Sequence, residues 1–250
     1  MDFTLKSYRQ ILLTIKECKI PVFTVEQWIR KQPAKGILLR HDVDRFPANA
    51  LKMAILENHN QIRSSYYFRH IKSVFKEKII RQIASLDHEI GYHYEDLAAA
   101  RGDWGRATQR FVANLDQFRR LVPVKTVAMH GSPLSKLNNL DLWNSMNYED
   151  VHLLGDASII PGRRQIIYFT DTGRSWANNS VNLRDRITAS LSVPVKTSTD
   201  LIQYIQENST QKIYISCHPE RWNNNPIKWI LYFMFDLLSN TMKRVIRIFR

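Results

Sequence analysis

The chain has 250 residues, 44% hydrophobic and 24% charged, the proportions of a globular protein rather than a disordered, collagenous or coiled-coil one. An excess of 36 Lys+Arg over 23 Asp+Glu gives a net charge of +13, which attracts phosphate-bearing partners such as nucleic acid, anionic lipid or a sugar nucleotide without specifying a fold. Two cysteines, Cys18 and Cys217, exclude a disulfide-stapled module.

No run of about 18 apolar residues is present to span a bilayer. After Ile11-Leu12-Leu13 the chain meets Lys16 and Glu17, so no signal-peptide core forms, and the expected location is cytoplasmic. In chain order, residues 3–19 place Leu5, Tyr8, Leu12 and Ile15 on one helical face, and Pro21 ends that helix. A second helix, 24–31, starts at Thr24 as N-cap with Gln27 three residues on. Short apolar runs then alternate with longer stretches: 36–41, 65–68, 89–93, 126–130, 150–154, 165–169, a weak run at 193–196, and 212–216. The clearest intervening helix is 104–121, with Phe111, Leu115, Phe118 and Leu121 in register. Strand-plus-helix units repeated in this way predict parallel strands joined by crossover helices, and seven or eight such strands predict a barrel. No linker interrupts residues 1–225, which are expected to form one domain with the first two helices packed on it.

Residues 226–250 are expected to form a separate basic amphipathic helix. Leu231, Phe235, Leu238, Met242, Val245 and Phe249 make one stripe, and Asp236, Asn240, Lys243, Arg247 and Arg250 the other. Such a helix either docks on the barrel through its apolar face or lies in a membrane interface, giving peripheral contact with the inner membrane through 227–250. In either case it is expected to be separable from the chemistry.

Chemistry-bearing residues follow the apolar runs directly: His41-Asp42-Val43-Asp44, His93 with Glu95, His130, Asp171 and His218. In a parallel barrel these positions share the carboxyl-end rim, where active sites are built. Asp42 and Asp44 are two apart, so both side chains point one way from a strand; such a pair can divide cation binding from proton transfer. The alternatives for the pair are a turn ending the strand, or the Asp-x-Asp of a sugar-nucleotide glycosyltransferase. Imidazole beside carboxylate at His93 and Glu95 suits zinc or another first-row divalent ion. His130 heads the turn His130-Gly131-Ser132-Pro133. His218, with a side chain that titrates near neutrality, can serve as a general acid.

Taken in order, these segments resemble the polysaccharide deacetylase (NodB-homology) family, and within it the divergent bacterial branch with His-Asp-Val-Asp in its first motif. The resemblance covers roughly 36–222. It rests on Ile37–Asp44, His88–His93, Val127–Pro133, Phe169–Trp176 and Cys217-His218-Pro219. It implies a distorted (β/α)7 barrel and a metal-dependent hydrolase acting on acetamido groups of carbohydrate, in bacterial surface-polysaccharide (O-antigen or lipopolysaccharide) assembly. Position by position it implies Asp42 as base, His218 as acid, and Asp44 and His93 as ligands of a divalent metal, zinc foremost. Asp171, Arg174 and Trp176, with Glu95, would line the substrate site. The family's second motif carries another histidine four residues after the first, where this chain has Leu97. His130 is therefore expected as third ligand, with Glu95 and His88 as alternatives. The expected partner is a carbohydrate, nucleotide- or lipid-linked. No zinc-knuckle spacing, RNP-like run or dense basic stripe supports nucleic acid. Two competing functions are a catalytically inactive barrel that binds a polysaccharide intermediate or a partner enzyme, and the Asp-x-Asp transferase.

Overall fold

The computed structural model describes residues 1–132, 135–160, 165–176 and 195–248. Capping boxes start the first two helices. Thr4 Oγ1 accepts from the Ser7 amide at 3.0 Å, and Ser7 Oγ accepts from the Thr4 amide at 2.9 Å, at the head of α1 (Leu5–Glu17). Thr24 and Gln27 exchange the same two bonds before α2 (Val25–Lys31). Each exchange satisfies two amides that the helix leaves open.

The described residues form eight strands, six of them on the apolar runs: β1 (Val22–Phe23), β2 (Gly36–Val43), β3 (Ser65–Phe68), β4 (Glu89–Tyr94), β5 (Thr126–Met129), β6 (Gly155–Asp156), β7 (Ile167–Thr170) and β8 (Lys212–Cys217). Every ladder is parallel, in the order β6-β5-β4-β3-β2-β8-β7, with β1 paired to β2. The crossovers include α3 (Pro47–His59), α4 (Glu77–Ser85), α5 (Asp96–Ala99), α6 (Trp104–Arg119) and α7 (Ser198–Glu207). The run at 150–154 is not a strand. It begins in the 3-10 turn Glu149–Val151, whose Val151 carbonyl accepts from Arg119 at 2.6 Å, and Val151 and Leu153 pack into the outer core; the strand is the next pair, β6. The first half of the weak run at 193–196 lies outside the described residues.

Strand alternation sorts the side chains between two environments. Leu38, Tyr67, Ala128, Tyr168 and Tyr214, from five different strands, meet in one buried cluster inside the curl of the sheet. Leu39, Phe169, Ile213 and Ile215 face outward under α1 and α7, while Tyr66, Phe68, Tyr92 and Val127 face outward under α3, α4 and α6. Gly91 makes room for the inward ring of Tyr67: a Cβ there would collide with that ring and lie 2.7 Å from the Thr126 carbonyl. The architecture is thus a curled, all-parallel α/β half-barrel. Among the described residues no ladder joins β6 to β7; across that side the Tyr214 hydroxyl donates to the Ala157 carbonyl at 2.9 Å.

The last helix, α8 (Pro226–Ile248), does not dock through its apolar stripe, the first of the two seatings expected for it. Asp236, on the stripe expected to face water, is turned into the protein, whereas Leu231 and Phe235 of the apolar stripe are 60% and 53% exposed. The reason is electrostatic: the surface under α8 carries Arg45, Arg174 and Arg221, and Asp236 pairs with all three.

Candidate metal centre

The parity that points Leu38 inward also points Arg40, Asp42 and, just past the strand end, Asp44 inward. On β4 the inward set is Glu89, Gly91, His93 and then Glu95; on β5 it leads from Thr126 and Ala128 to His130. The structure therefore brings Asp44, His93 and His130 together at the carboxyl ends of three strands, with one ligand-type atom from each within 4.8 Å of the others. His93 Nε2 lies 3.4 Å and His130 Nε2 3.6 Å from Asp44 Oδ1.

Hydrogen bonds fix which ring nitrogens face the centre. His93 Nδ1 lies 3.0 Å from the Ala128 carbonyl, which can only accept, so Nδ1 carries the proton and Nε2 presents a lone pair. His130 Nδ1 lies 2.8 Å from Glu95 Oε2, and the same reasoning leaves its Nε2 as an acceptor. Glu95 is itself held by Arg69, whose Nε donates to Oε1 at 3.1 Å, and by Ser132 Oγ at 3.1 Å. This carboxylate–imidazole pairing is how proteins orient histidine ligands. Asp44 Oδ1, buried and without a hydrogen-bond donor among the described residues, completes a set of three acceptors facing one another. Such a set fits a divalent ion held between its members.

Around the trio the charges are tightly coupled. Burial pushes the Asp44 carboxyl up, but His130, His93 and His218 outweigh it and hold the group well below the usual carboxylate range. Burial lowers the His93 imidazole, yet Asp42 and Asp44 leave it raised overall. Asp42 lies 3.9 Å from His93 Nε2 and is gripped by Arg40. Its carboxyl is lowered overall, burial being outweighed by Arg40 and His93.

At the end of β8, His218 Nδ1 lies 2.6 Å from Asp171 Oδ1, and its backbone amide donates to Asp171 Oδ2 at 2.8 Å. Arg221 and the Trp222 indole also donate to Asp171, at 2.7 and 2.8 Å. Burial and Arg221 depress the His218 imidazole, and Asp171 more than reverses them, leaving it raised. Glu220, two residues on, is 2% exposed, has no hydrogen bond to either oxygen among the described residues, and is pushed up to about 7 by burial and by the charge of Asp44.

Several expected site residues have other duties. Asp171 is fully buried with its oxygens committed to His218, Arg221 and Trp222, so it orients His218 rather than meeting a substrate. Trp176 is 1% exposed, packed among Phe3 and Trp222, with its indole donating to Ser198; it is a core residue. Arg174 is tied to Asp236 at 2.9 Å. Glu95 holds His130 instead of standing free for a ligand. His88 points away from the centre: its Nε2 meets the Ala54 carbonyl at 3.0 Å and its Nδ1 meets Ser64. Leu97 is buried in the outer core with Phe111 and Leu142. His41, odd in the strand, faces outward and bonds Glu57 at 2.6 Å. Sequence reasoning does not single out Arg40, Arg69, Glu220 or Arg221. Arg40 carries a signal all the same, since it is two residues before Asp42 and shares its face.

The sequence matches no family profile, and no curated protein is significantly similar. Among solved structures, a mutant of a CE4 family pseudoenzyme superposes with a TM-score of 0.43 at 10% identity, over 82% of this chain and 62% of that one. The CE4 domain of a multidomain xylanase from the hindgut metagenome of Trinervitermes trinervoides gives 0.42 at 12% identity, over 83% and 84%. The chain thus spans less than two thirds of the first of these.

Proposed function

We propose that the rim is a divalent-metal centre of a hydrolase that removes an acyl group from the nitrogen of an N-acylated sugar, within bacterial surface-polysaccharide assembly. The observation that carries this reading is the convergence of three acceptors, Asp44 Oδ1, His93 Nε2 and His130 Nε2, with both imidazoles oriented from behind. Two nitrogens and one carboxylate oxygen suit zinc and leave room for water and substrate.

When bound, the ion would supply polarisation of the acyl carbonyl and acidification of water. The protein's own groups do the rest. Asp42 takes the proton of the attacking water, and Arg40 keeps it ionised for that purpose. His218 gives the proton on Nε2 to the departing amine, while Asp171 holds Nδ1–H and favours the protonated ring. Water and amide thereby become a carboxylic acid and a free amine on the sugar. The basic surface suits a substrate linked to a nucleotide or to a pyrophosphate lipid. The test is release of acetate from N-acetylhexosamine derivatives by the metal-loaded protein, compared with Asp42→Asn and His218→Ala.

One observation favours a second reading, a barrel that binds carbohydrate without turning it over. Arg40 donates to both oxygens of Asp42, and a carboxylate so held is a weak base. Metal retained with no hydrolysis of any acylated sugar would select this reading. The Asp-x-Asp transferase gives no use to His93, His130 and His218, and we set it aside.

A further inference from the structure

Helix α8 rests on the rim by the side that carries Asp236, Trp229 and Tyr232. Arg45, which follows Asp44, donates to Asp236 at 3.2 Å; Arg174, just past β7, donates at 2.9 Å; and Arg221, just past β8, lies 3.8 Å away. The Arg174 guanidinium sits 4.9 Å over the Trp229 ring, Arg45 sits 4.1 Å over Phe235, and Phe46 stacks on Tyr232 at 4.5 Å. All of these contacts are made at the carboxyl end of the sheet, the end that carries the candidate metal centre.

Over residues 227–237 the opposite side of α8 is bare and apolar. Ile227, Ile230, Leu231, Met234 and Leu237 recur at helical spacing and are 69%, 55%, 60%, 49% and 49% exposed. Other large apolar side chains exposed among the described residues, such as Ile55, Trp104 and Val112, are scattered singly, as on any protein. A continuous exposed stripe marks an interaction surface.

Charge identifies what covers it. Residues 226–250 carry Lys228, Lys243, Arg244, Arg247 and Arg250 against a single acid, Asp236, and that acid is neutralised by the arginines beneath. The whole chain is +13. No described helix is long and apolar enough to cross a bilayer. A basic helix with an apolar stripe lies in the interface, its stripe in the acyl boundary and its cations among anionic headgroups. We propose that α8 is a docking helix for an anionic lipid surface, clamped by Asp236 so that the rim with Asp44, His93 and His130 is held at the membrane. This goes beyond the hydrolase reading and does not depend on it.

The test is co-sedimentation of the purified full chain with vesicles of phosphatidylglycerol and phosphatidylethanolamine, and with vesicles of phosphatidylcholine alone. Binding to the anionic vesicles, weakened by salt and weaker on phosphatidylcholine, is expected. Ile230→Gln and Leu231→Gln should each lower the apparent affinity by about tenfold, since each withdraws a buried aliphatic side chain. Val112→Gln, an exposed apolar position elsewhere, should bind like the parent, and so should Asp44→Ala, which separates docking from the metal chemistry. Equal binding to both vesicle types, no binding, or parental binding by Ile230→Gln/Leu231→Gln would overturn the proposal. So would a parent dimer that this double variant converts to a monomer, because the stripe would then cover a second copy of the chain.

Discussion

Arg40 and Asp42 are two residues apart on one strand and meet side by side inside the curl of the sheet, Nε donating to Oδ1 at 2.7 Å and a terminal nitrogen to Oδ2 at 2.5 Å, with both residues at most 2% exposed. Breaking a buried pair by removing one partner leaves the other charge stranded, at a cost of about 3–5 kcal/mol. Arg40→Met should therefore destabilise the fold by about that amount in urea unfolding and raise the Asp42 pKa. A loss below about 1 kcal/mol would show that the pair is not isolated from water. Asp42→Asn should keep metal and lose hydrolysis by about 10²–10⁴-fold.

A second buried carboxylate makes stability depend on pH. Glu57 is fully buried beneath the sheet and bonded by His41, Tyr8, Tyr66 and Ser64. Burial raises its pKa, but His41 and the other partners bring it down to about 2 from 4.5. A carboxylate depressed in the folded state contributes stability in full above its unfolded pKa and loses it as pH falls toward the folded value. From the shift, roughly 3 kcal/mol should disappear between about pH 5 and pH 2. Glu57→Gln should flatten that part of the pH profile of unfolding; an unchanged profile would assign the acid sensitivity to other groups.

Asp171 raises the His218 pKa and fixes its ring. In Asp171→Asn the imidazole should therefore titrate at lower pH, readable by NMR in metal-free protein. If His218 acts as the acid, the alkaline limb of activity should move to lower pH with it, while metal content stays at the parental level. A shifted His218 titration with an unmoved activity profile would remove His218 from the chemistry.

Gly91 gives a prediction about packing. Gly91→Ala would drive a methyl group into the Tyr67 ring and toward the Thr126 carbonyl. Overpacking of this kind costs about 1–3 kcal/mol, measurable as a lowered Tm. Tyr67→Phe/Gly91→Ala should not recover it, because the ring and not its hydroxyl fills the space.

The inward face of the strands is legible in the sequence because alternation is a local rule: residue spacing alone puts Asp42 with Asp44 and His93 with Glu95. The rim is legible because polar residues follow the apolar runs. The 150–154 run misleads because Val151 and Leu153 are apolar for the sake of packing a turn, a purpose that composition cannot separate from a strand. Motif position points to Trp176 and Arg174 as substrate residues, but it carries no information about burial; both are consumed by contacts with distant segments, Ser198 and Asp236. The inverted seating of α8 depends on three arginines at 45, 174 and 221 converging in space, and nothing near residue 236 announces them. The Glu57 cluster is hidden for the same reason, drawing on residues from 8 to 88.

The central claim is that Asp44, His93 and His130 hold one divalent ion. Zinc titration by calorimetry, with metal content checked by mass spectrometry, should give one site per parent chain. Asp44→Ala, His93→Ala and His130→Ala should each abolish or greatly weaken it. Glu95→Gln should weaken it by about 10–100-fold, because it orients a ligand without being one. A parent chain that takes up no zinc, or a His130→Ala variant that binds it as the parent does, would contradict the account.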